Sequence, residues 1–278
     1  MRQPQVDPFE RHFTPRALLS PRRHGEIRLP WATLDSKLCG LAGGQMIVVL
    51  GETGRGKTSF ALQAATHVSQ QHKATLVWTM EMPPRSLFQR LVTQASAIPQ
   101  SRRPSQLTFE ERERQRMAVA LFGEDPVYFD RHSRSVAAFC ANLWRLQTKT
   151  EVGLVIVDYL QLIRSTLKEG TRAQEVSENS RNLKLAAMDC NVPFLVLSQV
   201  DRSSVKGKGA KIGLHSAKES GDIENDADVM LWIEAVELAR DQPTPVSIVV
   251  GKQREGPAGF PVKMVFQPTS QTFIEAEE

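Results

Sequence analysis

Residues Gly51 to Ser59 read GETGRGKTS, a gapless match to the pattern G-x-x-x-x-G-K-[ST], and the apolar run MIVVL leads straight into them from Met46. Few short stretches constrain a fold so tightly. Glycines at 51, 54 and 56 let the backbone curl until successive N–H groups face one anion, and a helix that starts near Lys57 aims its positive end at the same point. The chain must therefore leave a buried strand, turn through Gly51, Gly54 and Gly56, and enter a helix at Lys57, Thr58 and Ser59. The spacing also sets the chemistry: Lys57 reaches the β and γ phosphates of a nucleotide, and the Thr58 hydroxyl holds Mg²⁺. The bland alternative is a Gly-rich turn that binds nothing, and the agreement of motif, strand and helix argues against it.

Short apolar runs recur along the rest of the chain: TLVWTM from Thr75, LVIVD from Leu154, PFLVLS from Pro193, DVMLWI from Asp228, VSIVVG from Val246 and VKMVF from Val262. They are apolar almost throughout, as strands covered on both faces must be. The segments between the first four runs are long enough for crossover helices. Two of these helices show their starts, because TFEE and TRAQ place Thr108 and Thr171 three residues before Glu111 and Gln174, the capping-box spacing. The last three runs follow one another closely, which predicts hairpins at one edge. The expected fold is α/β: a mostly parallel twisted sheet, helices on both faces and an antiparallel edge, in one domain over residues 28–278. The first 28 residues hold four prolines and little periodicity, so residues 1–27 read as an arm or linker.

Composition narrows the setting. At 278 residues and 41% hydrophobic, the chain can bury a sizeable core. Cys39, Cys140 and Cys190 are odd in number and widely spaced, and the six histidines form no cluster, so neither a disulfide framework nor a zinc site is expected. No apolar run approaches a membrane span, and MRQPQVDPFERHF lacks the apolar stretch of a signal peptide, which points to a reducing, cytoplasmic setting away from membrane. The net charge of +4 is unevenly spread. Residues 1 to 28 carry six arginines against Asp7, Glu10 and Glu26, and residues 201 to 218 carry Arg202, Lys206, Lys208, Lys211 and Lys218 against Asp201. Such clusters suit a polyanion met at defined places, although on charge alone a solvated loop looks the same.

Nucleotide hydrolysis needs more than a phosphate loop. Asp158, at the end of a buried strand, is placed to hold Mg²⁺ beside Thr58; a strand-end cap is the structural alternative. TLVWTMEMPP ends a second such strand with Glu81, which either orients and deprotonates an attacking water or sits as a structural acid at a helix start. Ser198 and Gln199 end a third strand, just before the basic loop from Asp201, so a γ-phosphate read by Gln199 is one or two residues from whatever that loop touches. The loop has lysines and glycines but no aromatic residue, so its contacts are expected with phosphates rather than stacked bases. Lys252 and Arg254 follow a strand and precede the turn residues Gly256 and Pro257, a tip that can reach a neighbour's nucleotide as an arginine finger does; surface solubility is the alternative.

In order, GETGRGKTS, EMP, VIVDYLQLI, NVPFLVLSQVDRS, KESGDIENDADVMLWI and GKQREGP resemble the successive motifs of the C-terminal ATPase domain of DnaB-type replicative helicases, from about Arg28 to the last strand. The resemblance implies a RecA-like P-loop NTPase core, ATP and Mg²⁺, a homo-hexameric ring round single-stranded DNA, and 5′-to-3′ translocation that unwinds duplex. It makes Glu81 the catalytic carboxylate, Asp158 the second acidic metal-site residue, Gln199 the sensor, and Lys252 and Arg254 the pair supplied in trans. Lys218, Glu219 and Gly221 fall in a channel segment that contacts the DNA backbone. Lys218 stands where arginine is frequent, which turns a bidentate clamp into a point charge. Family members usually carry an N-terminal helical collar that helps to engage primase. Only some 27 residues precede the core here, so no collar is expected, and this bears on ring stability and on any loader or primase partner. Two other readings fit part of the pattern: a RecA-like recombinase, and a non-unwinding DNA-dependent ATPase or adaptor ring. The KESGDIENDADVMLWI and GKQREGP segments speak against the first, Glu81 and Arg254 against the second.

Overall fold

The computed structural model describes residues 27–124, 126–165, 170–200, 221–235, 238–239 and 242–276. Among them β1 (Met46–Gly51), β2 (Ala74–Thr79), β3 (Val127–Asp130), β4 (Val152–Asp158), β5 (Phe194–Gln199), β6 (Val229–Glu234), β7 (Thr244–Gln253), β8 (Phe260–Gln267) and β9 (Thr272–Glu275) join in one sheet, in the order β3-β2-β4-β5-β1-β6-β7-β8-β9. Strands β1 to β6 are parallel, and β7, β8 and β9 add an antiparallel edge. The helices are α1 (Ala32–Leu38), α2 (Lys57–Gln70), α3 (Pro84–Ser96), α4 (Phe109–Glu124), α5 (Val136–Gln147), α6 (Arg172–Cys190) and α7 (Gly221–Asp226).

The apolar runs are explained by two cores, one on each face. Successive side chains of a strand point to opposite faces, and in β1 Ile47 and Val49 enter one core while Met46, Val48 and Leu50 enter the other. On the first face α2 and α3 bring Phe60, Leu62, Leu87 and Leu91 against Val77, Leu154, Ile156, Leu195 and Leu197. On the second, α5 and α6 bring Phe139, Leu143 and Leu183 against Trp78, Val155, Val157 and Val196. Trp78 stacks on Phe139 with centroids 4.5 Å apart, and Trp31 stacks on Phe60 at 4.1 Å. The antiparallel edge behaves differently. Val246, Ile248 and Val250 of β7 and Val262, Met264 and Phe266 of β8 are buried, whereas the residues between them are only partly covered or exposed, the alternation of a sheet with one packed face.

The expected parallel sheet, antiparallel edge and P-loop helix at Lys57 are all present. Both capping boxes form: Thr108 N donates to Glu111 Oε2 at 2.8 Å and Glu111 N to Thr108 Oγ1 at 3.2 Å, and Thr171 and Gln174 repeat the exchange at 2.8 and 3.3 Å. The hairpins expected among the last three runs hold for β6–β7 and β7–β8. However, β6 itself pairs parallel with β1, so it closes the parallel part of the sheet rather than opening the edge. Two strands were not expected, β3 (VYFD) and β9 (TFIE), each four residues long. Ile27 already belongs to the fold, where it bridges Leu41.

Phe60 is almost fully buried between Trp31 and Phe273, so Phe60→Ala is expected to cost about 3–5 kcal/mol of unfolding free energy, against about 1 kcal/mol for Thr108→Ala at an exposed cap. Denaturant titration of both variants checks the ranking; a smaller loss at Phe60 than at Thr108 would contradict the packing described.

Candidate nucleotide site

Four parallel strands end side by side. Gly51 of β1 is the register partner of Gln199 of β5, and Thr79 of β2 is the partner of Asp158 of β4. The chain after each strand end therefore opens into one cleft of about 410 Å³, lined by Thr53, Gly54, Gly56, Lys57, Thr58 and Ser59 of the loop, with Glu81, Arg90, Asp158, Tyr159 and Gln199 around it. Gly54 and Gly56 have φ of 77° and 84°, in the left-handed region. At Gly56 a Cβ would also stand 2.7 Å from the Phe273 ring, so backbone and packing both exclude a side chain there.

Two charged groups of the cleft, Lys57 and Asp158, have lost much of their water. Lys57 Nζ donates to Gly51 O at 2.6 Å and Glu52 O at 2.9 Å, which folds the ammonium back over the loop. Burial pushes its pKa down to about 8, against the pull of Asp158, Glu81 and Glu52. Burial likewise pushes Asp158 up to about 6; the Thr58 hydroxyl, which donates to Asp158 Oδ2 at 3.1 Å, opposes that shift, and Glu81 adds to it. Gln199 Nε2 donates to Thr53 Oγ1 at 2.7 Å and so ties the end of β5 to the loop.

Two residues of the cleft, Arg90 and Tyr159, and one that supports it, Gln161, escaped the sequence reading. Gln161 braces Gln199: its Nε2 donates to Ser198 Oγ at 2.9 Å and Gln199 O at 3.1 Å, and its Oε1 accepts from Gln199 N at 3.3 Å. Arg90 reaches the cleft from α3, and Tyr159 follows Asp158 across a cis peptide bond. A helix-borne arginine and a single glutamine carry no spacing signature, although Gln161 lies inside the LVIVDYLQL stretch that flags Asp158.

Lys252 and Arg254 do not join this cleft. Because β7 runs antiparallel to β6, its C-terminal end lies beside the start of β6, with Gln253 paired to Val229 and Lys252 to Met230, at the opposite end of the sheet. The register slips there, leaving Gly251 as an extra residue whose Cβ would strike the Trp232 ring. Lys252 Nζ donates to Glu224 O, and Arg254 Nη2 donates to Asn225 O at 2.7 Å, both carbonyls near the end of α7. Burial, then the neighbouring Arg254, lowers the Lys252 pKa. Arg202, Lys206, Lys208, Lys211, Lys218 and Glu219 lie outside the described residues; Gly221 opens α7. No helix among the described residues is long and apolar enough to cross a membrane.

A parallel sheet with a phosphate loop after its central strand, an acid closing the next strand but one, and an antiparallel edge define a RecA-like P-loop nucleotide-binding fold. The family model of the DnaB-like helicase C-terminal domain matches residues 27–275, and the chain belongs to that family. It is 31% identical over 265 residues to the replicative DNA helicase DnaB of Geobacillus stearothermophilus, covering 92% of this chain and 58% of the relative. The chain spans about half the length of the curated relatives it matches. A solved DnaB-like replicative helicase, described with its interactions with primase, superposes with a TM-score of 0.85 at 22% identity over 94% of this chain and 66% of that one. The RadB recombinase gives 0.56 at 18% identity, over 90% of this chain and all of that one.

Gly56→Ala is expected to lose nucleotide binding and about 1–3 kcal/mol of stability, from the unfavourable φ and the clash with Phe273. Titration with a fluorescent nucleotide beside a melting curve checks both; intact affinity would mean that the loop has room the structure does not give it.

Proposed function

We propose that the chain is the motor of an ATP-dependent DNA helicase: it moves 5′ to 3′ along single-stranded DNA as a hexameric ring, with its nucleotide sites between subunits. The observation that carries this reading is the division of the machinery in a member of the DnaB family. Lys57, Thr58, Glu81, Asp158 and Gln199 share one cleft, whereas Lys252 and Arg254 stand at the other end of the same sheet. A single copy does not bring the two groups together, which supports a ring in which a neighbouring copy supplies the second group.

In this mechanism the loop N–H groups and Lys57 bind the β and γ phosphates of ATP and hold the charge that develops on the transferred oxygens. Glu81 orients the attacking water and accepts its proton. Thr58 and Asp158 would supply oxygen donors for Mg²⁺; their direct hydrogen bond brings the two side chains to one point. A hydroxyl and a carboxylate oxygen brought together in this way are the hard donors that such an ion takes, so Thr58 and Asp158 would suit it. Bound there, the ion neutralises phosphate charge. Gln199, held between Thr53 and Gln161, links the γ-phosphate position to the segment after β5. Arg202, Lys206, Lys208, Lys211, Lys218, Glu219 and Gly221 form the DNA-contacting segment in this reading, and Lys252 and Arg254 complete the next subunit's site. Residues 28–278 then form the motor domain, in the cytoplasm, and residues 1–27 an arm; primase or a loader is a further partner. The likeness to a recombinase is one of fold, and an adaptor ring that binds nucleotide without unwinding is the second reading that the cleft alone permits.

Glu81→Gln and Arg254→Ala are each expected to lower DNA-stimulated ATP turnover by about 10²-fold or more while nucleotide affinity is kept. With ATP, wild type should displace strands from forks bearing only a 5′ tail, and do nothing with a non-hydrolysable analogue. DNA-stimulated hydrolysis with no displacement from either tail would favour the adaptor reading. Unchanged turnover in either variant would remove the role given to that residue.

A further inference from the structure

Arg254 leaves β7 into a set of contacts more elaborate than a solvated arginine needs. Its Nη2 donates to Asn225 O at 2.7 Å, its Nη1 lies 3.5 Å from Asp228 Oδ1, and its backbone N–H donates to Asp228 O at 2.9 Å. Asp228 is fixed in turn. Its Oδ2 accepts from Met46 N at 2.7 Å and from Lys184 Nζ at 2.6 Å, and Lys184 also donates to Gly44 O at 2.8 Å. One carboxylate oxygen is thus bound to the scaffold at the start of β1, and the other faces the guanidinium. The Asp228 side chain is 13% exposed, whereas that of Arg254 is 49% exposed. The arginine is held on its inner side and open on its outer side.

We infer that Asp228 is a positioning residue for Arg254, fixing the direction of the guanidinium before a neighbouring copy brings its nucleotide cleft alongside. The inference rests on the reading of Arg254 as a group supplied in trans. A free arginine would have to give up its side-chain freedom at the moment of reaction, whereas one held by Asp228 and Asn225 has lost it on folding. An ion pair with a carboxylate would ordinarily weaken the field a guanidinium offers to phosphate. Here Lys184 offsets that loss: Lys184, Asp228 and Arg254 together carry one positive charge, so the outer face still presents a net cation. A purely structural role, tying β6 to β1, is already met by Oδ2 with Met46 and Lys184, and leaves the Oδ1 contact unexplained.

The test is complementation between subunits of the full 278-residue chain. Glu81→Gln subunits keep a sound Arg254 but a dead cleft; Asp228→Asn subunits keep a sound cleft but a loose Arg254. Each variant is assayed for ATP turnover with oligothymidylate, for nucleotide affinity and for melting temperature, alone and co-assembled with Glu81→Gln; Arg254→Ala is treated in parallel. Asp228→Asn alone should lose turnover on the order of tenfold to a hundredfold with nucleotide affinity unchanged. Co-assembly with Glu81→Gln should lift turnover several-fold above either alone, as it should for Arg254→Ala, and Asp228→Glu should restore part of the loss. Undiminished turnover in Asp228→Asn overturns the inference. So does a loss that mixing fails to repair while Arg254→Ala is repaired, because Asp228 then acts within its own cleft or on the fold. If Arg254→Ala is not repaired either, the trans reading itself falls. Since Asp228→Asn leaves Lys184 without its carboxylate, the charge-matched pair Asp228→Asn with Lys184→Gln enters the same assay. Failure of Asp228→Asn, Asp228→Glu and this pair alike to fold would make Asp228 a folding residue and overturn the inference.

Discussion

The register of the central strands sets what the rest of the molecule can do. Gly51 pairs with Gln199 and Thr79 with Asp158, and Val157 of β4 pairs with Val196 of β5, so β1, β5, β2 and β4 finish within about two residues of one another at the same edge of the sheet. Side chains just beyond these ends share a space although they lie up to about 150 residues apart in sequence. A slip of one residue in β4 would turn Asp158 to the other face of the sheet and separate it from Thr58. That register is secured by burial on both faces: β1, β2 and β4 are buried at every position, so each pairs in register only while two sets of alternating apolar side chains fit two cores.

The two ends of the sheet carry opposite electrostatic states. Around Asp228 the chain closes its own account, with Lys184, Arg254 and the Met46 N–H satisfying one carboxylate. At the cleft it does not. Lys57 is held below its ordinary pKa and Asp158 above its own, in each case chiefly because water has been removed from a charge. A ligand bearing both phosphate oxygens and a divalent cation relieves both groups at once. A phosphate alone would answer Lys57 but press further on Asp158 and Glu81.

How much of this was legible in the sequence differs by kind of signal. The phosphate loop, the helix start at Lys57 and the two capping boxes were legible because each is a local geometry with a narrow choice of residues. The apolar runs of β1, β2, β4 and β5 were legible because burial on both faces permits little else. The parallel pairing of β6 was not, since its composition is the same whether it joins β1 or turns back in a hairpin. Strands β3 and β9 escaped because four residues hold too few alternations to separate from loop, and β3 is only buried at its two ends. Gln161 and Arg90 escaped because what matters about them is where a tertiary path delivers them.

The position of Lys252 and Arg254 shows why sequence order and spatial order part company. Along the chain, GKQREGP is simply the last of six motifs, and nothing in it tells which site it serves. The direction of one strand decides. Had β7 run parallel to β6, its end would have opened beside the nucleotide cleft of the same chain. Running antiparallel, with Gly251 bulged under Trp232, it delivers the two cations to the opposite end, against the carbonyls of Glu224 and Asn225. Those carbonyls belong to α7, which Ser177 and Ser180 of α6 hold through Asp222 and Asp226 at 2.5 and 2.7 Å. Since α7 begins at Gly221, three residues past Lys218, the sequence leads from the basic segment into the six-residue helix whose carbonyls hold the pair.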